Sequence, residues 1–370
     1  MSRHLSLDRL VKVACTIAFT FAPAYIHADS FTQTNLVSNV PNLANTTDPN
    51  LKNPWGVSFS ETSPFWISNQ ASGNSTLYDG AGNIAPLVVT IPGGGPPSGP
   101  SGQVFNSAPG FTLSNGNSAL FIFDTLNGTI AGWNGGLGTT AQTVVPTSGA
   151  VYTGLTQNTS NGSTYLYAAD STGTIHVFNS TWHDVTNTTF AGKFADPSLP
   201  AGFTPFNVQS IGSDIYVTYA GSSGGFVDEF DSSGNFIKRI ASGGPLSSPW
   251  GITLAPAGFG SFSNDLLIGN FGNGEILAYN PMTDAFIGTI DGKNGQPLVN
   301  DFLWSLETRT GGTNTNLNAV YFTAGIDNQQ DGLFGEITAN PSPVPEPATI
   351  FDTAFGLVTF VLYKVRSRLK

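Results

Sequence analysis

Two Pro-Trp-Gly triplets, at residues 54–56 and 249–251, and a third tryptophan at 304 are the residues best suited to hold something. Each begins a short apolar stretch that opens a repeating unit. Alignment of those stretches sets Trp55, Asn207, Trp250 and Trp304 at equivalent positions, with Thr153 nearby. Tryptophan faces stack on sugar rings and on cations. Three of them with an asparagine at one end of a central axis would form an aromatic-lined mouth for carbohydrate or another small ligand. The same residues equally suit packing between units, with Pro-Trp-Gly as a strand-opening motif.

A second chemistry needs oxygen ligands. Asn207 and Asp301 are the best-placed pair for an axial divalent cation such as Ca2+, with Asn53 third. Some other six-bladed propellers hold one such ion and hydrolyse esters or lactones, which makes a metal-dependent hydrolase the alternative reading. Those lactonases would supply a glutamate at the start of the first unit's inner strand, and no acidic residue stands there. No other cofactor is called for. His176 and His183 are the only histidines beyond residue 28, and one histidine without a partner cannot serve as both acid and base. No Gly-x-Ser-x-Gly elbow occurs. The Gly-rich stretch 93–102 carries prolines and no lysine, so it is not a phosphate loop. Residues 327–332 resemble a calcium loop but lack its terminal glutamate, and read as a hairpin turn.

The elements that must position these residues repeat six times. Each copy is an alternating apolar strand, a Gly-centred turn and a second alternating strand, as in residues 65–78, 120–133, 165–178, 215–230, 266–279 and 320–337. The aligned turn glycines are Gly73, Gly128, Gly173, Gly225, Gly274 and Gly332, spaced 45 to 58 residues apart. Period-two alternation marks half-buried strands, and Asn-Gly, Thr-Gly and Asp-Gly pairs suit tight turns. Further apolar stretches precede several copies and follow some, at 236–240 and 286–290 for example. Four strands per unit, six times over, predict an all-β, six-bladed β-propeller with four-stranded antiparallel blades.

The last copy runs into a Pro-rich segment and lacks an outer strand. Residues 31–38 supply an unassigned one, so the N-terminal strand is expected to close the last blade and cover its edge. Two insertions, 92–102 and 182–205, are the loops on which a site could be grafted.

The ends differ from the middle. Arg3, Arg9 and Lys12 precede an apolar run from Val13 to Ala24, which predicts a signal peptide over residues 1–28. Cys15, the only cysteine, falls inside it. The propeller is expected over 29–340. Residues 341–370 read as a Pro-rich linker, an apolar run interrupted by Asp352, and a basic end that would stay cytoplasmic. Charged residues make up 10% of the chain. Between Asp29 and Glu346 there are 6 basic and 22 acidic residues. Such a surface repels nucleic acid and suits a soluble exported protein.

Val344, Pro345, Glu346 and Pro347, followed by the apolar run and the basic end, resemble the PEP-CTERM sorting signal of exopolysaccharide-producing Gram-negative bacteria. That resemblance implies processing by an exosortase after transient membrane anchoring, with delivery to the cell surface or extracellular matrix. Residues 53–56, 196–203, 205–209, 249–251, 269–274 and 331–335 are similar to an uncharacterised family of bacterial secreted, NHL-like propellers. The resemblance implies a fold and a location but no catalytic residues. The expected role is a non-catalytic surface or matrix propeller that binds polysaccharide or a surface protein through one face.

Overall fold

The computed structural model describes residues 29–93 and 95–340. The expected signal peptide and the segment holding Val344, Pro345, Glu346 and Pro347 lie outside them. Among the described residues no helix is long and apolar enough to cross a membrane.

The repeating units fold as six antiparallel sheets, the blades of a β-propeller. Their inner strands are Pro54–Ser58, Pro100–Phe105, Tyr152–Ser160, Thr204–Ile211, Pro249–Leu254 and Leu303–Glu307. Phe236–Ser242 and Phe286–Thr289 are the fourth strands of blades four and five. Blade three has three named strands, ending with Thr174–Asn179. Its outer edge is covered by the 182–205 insertion: Val185 N donates to Val177 O and Asn179 N to His183 O.

Ring closure is as expected. Ser30–Ser38 pairs antiparallel with Leu333–Asn340, so blade six takes its outer strand from the other end of the described chain. Phe31 is buried between blades five and six, while Leu36 and Val37 are buried between blades six and one. One strand thus seals two joints.

No blade can hide its apolar surface alone, since both faces of each sheet are apolar. The core is accordingly divided into six wedges, one at every junction between neighbouring blades. A seventh cluster, Trp55, Trp250 and Trp304, sits apart from the wedges.

Glycine is needed where the hairpins touch the next blade. Gly128 and Gly274 have φ of 71° and 73°, and a Cβ there would meet Ala150 O at 2.5 Å and Asn300 O at 2.4 Å. Two of the aligned glycines differ from expectation. In blade four the positive φ falls on Gly224, and in blade six on Asp327, Asn328 and Gln329. Gly225 and Gly332 instead make room for Pro249 and Pro54, which open the next inner strands.

Each inner strand slips register against its neighbour in its first few residues. A bulge of this kind re-aims one side chain. The residues within or beside the slips are Trp55, Ser101, Thr153, Phe206, Trp250 and Trp304. The backbone amides freed there find side-chain partners: Gly102 N donates to Asp124, and Ser305 N to Thr323 Oγ1. Burial pushes the Asp124 carboxyl up to about 7.

Candidate functional site

The bulges bring the three tryptophans together. Trp55 stacks on Trp304 with centroids 3.5 Å apart, and Trp250 meets both edge-on. Phe206 and Phe271 pack against Trp304. The indole of Trp250 reaches from blade five to donate to Thr153 O in blade three, at 2.9 Å. Trp304 donates from blade six to Asn53 Oδ1 in blade one, at 3.0 Å. The tryptophans are 5%, 4% and 1% exposed. Their faces cover one another, so the group plugs the axis and presents no open stacking surface.

Asn207 does not share the tryptophan position, and this corrects the alignment. The bulge in blade four gives that place to Phe206 and moves Asn207 one residue on, level with Gly56, Gly102, Gly154 and Gly251. There its Nδ2 donates to Trp250 O at 2.8 Å, and its Oδ1 fills the space that a Cβ on Gly154 would need. Asn207 is an inter-blade spacer. Asp301 is exposed. Neither residue lines the axial cavity described below. Among the described residues no group of three or more His, Cys, Asp or Glu side chains is arranged to hold a metal ion.

The histidines stand apart from the axis. His176 lies between Asp184, 3.0 Å from its Nδ1, and Asp170, 3.4 Å from its Nε2, and so ties the insertion to blade three. His183 contacts Thr181 at the surface.

Past the tryptophan plug, later residues of the inner strands enclose an axial cavity of about 450 Å³. Five blades contribute to it: Ser58 and Phe59 from blade one, Gln103 and Phe105 from blade two, Thr156 to Thr159 from blade three, Gln209 and Ser210 from blade four, and Glu307 from blade six. Pairing with the second strands puts Ser58, Val104, Thr156, Gln209 and Glu307 at equivalent heights. The Arg309 guanidinium stacks on Phe59 and Phe65 and donates to Ser60 O and Ser63 O, which fixes the rim beside Glu307.

Among the described residues Glu307 is the only titratable side chain lining this cavity. Its closest hydrogen-bond partner is Ser305 Oγ, at a long 3.5 Å, and among the described residues no cation pairs with it. Desolvation raises its pKa to about 8, against a small opposing contribution from Ser305. Between the unfolded value, 4.5, and about 8 the folded state therefore holds a proton that the unfolded chain has lost. That contribution to stability is complete below pH 4.5 and is lost as pH rises through 8. Glu307→Gln should remove the trend. Its stability advantage over the wild type should grow by up to about 1 kcal/mol per pH unit from pH 5 to pH 8. Guanidinium unfolding midpoints at several pH values would check this, and a constant difference would contradict it.

No protein-family model matches the chain. Uncharacterized protein R648 of Acanthamoeba polyphaga mimivirus is 30% identical over 323 residues, covering 82% of this chain and 78% of the relative. The chain belongs to the R648 family. Uncharacterized protein L690 of the same virus is 28% identical over 326 residues, covering 82% of this chain and 84% of its own. Among solved structures, Raptor of Chaetomium thermophilum is similar in fold, with a TM-score of 0.50 and 11% identity over 86% of this chain and 30% of that one.

Membership of the R648 family corrects the assignment to a bacterial secreted family with PEP-CTERM tails, because these relatives are viral. Three of the motifs behind that assignment serve architecture. Pro-Trp-Gly at 54–56 and 249–251 builds bulges and the axial plug, and residues 331–335 make room for the next blade. Glu307 is the cavity residue that sequence reasoning missed. The signal was present in Leu-Trp-Ser-Leu-Glu, residues 303–307, where an acidic residue ends an otherwise uncharged inner strand.

Proposed function

We propose that this R648-family propeller is a non-catalytic binding module whose polar axial cavity takes a sugar unit of a polysaccharide. The observation that carries this reading is the cavity itself. Its 450 Å³ lies within the range of small-molecule sites, and its polar walls are hydroxyls and amides from four blades with a single carboxyl group from a fifth. Hydroxyl and amide side chains offer paired donors and acceptors of the kind a polyol needs. Phe59 and Phe105 at the rim add apolar faces for a ring. One carboxyl without a second titratable group beside it supplies no acid and base pair, which favours binding over hydrolysis. The basic and apolar pattern of residues 3–24 and the acidic surface favour an exported protein.

The test is a calorimetric screen of oligosaccharides against the full chain and against Gln209→Trp. Gln209 lines the cavity, and its side chain makes no hydrogen bond to another described residue. An indole there should fill the cavity and weaken a bound oligosaccharide at least tenfold. Binding that survives Gln209→Trp would move the site elsewhere.

A further inference from the structure

We propose that the sugar held in the axial cavity carries a primary ammonium group, which Glu307 recognises. This rests on the cavity being a sugar site and adds the chemical class of sugar. The observation behind it is the Glu307 carboxyl, which no cation pairs with among the described residues, in a cavity whose other walls are neutral.

The single carboxyl among neutral walls favours an ammonium group over a neutral hydroxyl. An ammonium group is a compact donor of three hydrogen bonds and a positive charge. It would meet the carboxylate oxygens of Glu307. Some of the remaining polar atoms are already engaged: Gln103 Nε2 donates to Gly56 O and Trp66 O, and Asn158 Nδ2 donates to Ser210 Oγ. A divalent metal ion would ordinarily draw on more than one carboxylate, and the cavity offers one.

Charge around Glu307 does not already satisfy it. Arg309, two residues on, is held against Phe59 and Phe65 and the 60–63 carbonyls. Tyr321, opposite Glu307 in the pairing, accepts from Asn316 N. Glu336, on the next strand, is opposite Tyr321 and interacts with it. Blade five contributes Thr253 at the corresponding level, bonded to Thr308. The proton that burial keeps on Glu307 below about pH 8 must therefore leave when an ammonium group arrives.

The experiment uses full-length chain, a chitosan tetramer, its fully N-acetylated counterpart and calcium chloride, each titrated at pH 6 in buffers of different ionisation enthalpy. The expected result is binding of the chitosan tetramer at least tenfold tighter than its acetylated form, with release of about one proton per site. Glu307→Gln should abolish both the preference and the proton release. Glu307→Asp, which keeps the carboxyl, should retain part of the preference, and thermal unfolding checks that both variants are folded. Equal binding of the two tetramers by the wild type, unaffected by Glu307→Gln, would overturn the ammonium assignment and leave the sugar reading standing. Calcium binding lost in Glu307→Gln, without a preference between tetramers, would overturn it in favour of a metal. Retention of neither tetramer would remove it together with the sugar reading.

Discussion

Trp304→Ala should destabilise the propeller by about 3–5 kcal/mol, the usual range for deleting a buried large aromatic side chain. Trp304 is the hub of the axial plug. It stacks on Trp55 at 3.5 Å, contacts Trp250, Phe206 and Phe271, and bonds Asn53 of the neighbouring blade through its indole. Removing it opens a void on the axis and leaves Asn53 Oδ1 without its donor, which adds to the cost. Trp55→Ala should cost less. The Trp55 ring is equally buried, but its Nε1 has no partner, so that deletion also removes an unsatisfied buried group. Guanidinium unfolding with unchanged m-values would measure the difference. A loss below about 1 kcal/mol for Trp304→Ala would show that the plug contributes little.

Phe31→Ala should destabilise by a similar amount, about 3–5 kcal/mol, although the residue lies at the very start of the described chain. Its ring is 1% exposed and packs on Phe259 at 4.9 Å and Phe262 at 5.7 Å, both from blade five. Its amide donates to Asp291 O. The strand carrying it completes blade six and lends Leu36 and Val37 to the wedge with blade one. Removing residues 30–38 altogether should leave an unpaired edge along Leu333–Asn340 and two half-open wedges. Domains are stable by about 5–15 kcal/mol, so that truncation should abolish cooperative unfolding and expose an edge prone to association. Size-exclusion chromatography and an unfolding curve would report it. A monomeric truncated chain with a wild-type midpoint would show that the ring is not held shut there.

The blade count and ring closure were legible because they depend on local patterns. Period-two alternation, turn glycines and an orphan N-terminal strand are each visible within a few residues, and the ring follows once six such units must cover one another. Turn positions in blades four and six were less legible. There the positive φ lies on Gly224 and on residues 327–329, while Gly225 and Gly332 clear prolines of the next blade.

The site was only partly legible. Trp55, Trp250 and Trp304 were recognised as a group and do meet, but whether they face a ligand or one another depends on the direction of each side chain. A one-residue bulge sets that direction, and the same bulge separated Asn207 from the tryptophans and put Phe206 among them. Asp301, aligned as a ligand for an axial cation, lies in an exposed turn before its inner strand.

By itself the sequence determined that six β-units form a ring closed by its own N-terminal strand, since alternation and turn chemistry act over distances a single segment spans. Only the tertiary structure decided that the axis is plugged by tryptophan at one level and opens as a polar cavity with Glu307 at another. Both depend on five or six strands, far apart in the chain, arriving at the same height, and on the dielectric surroundings that this convergence creates.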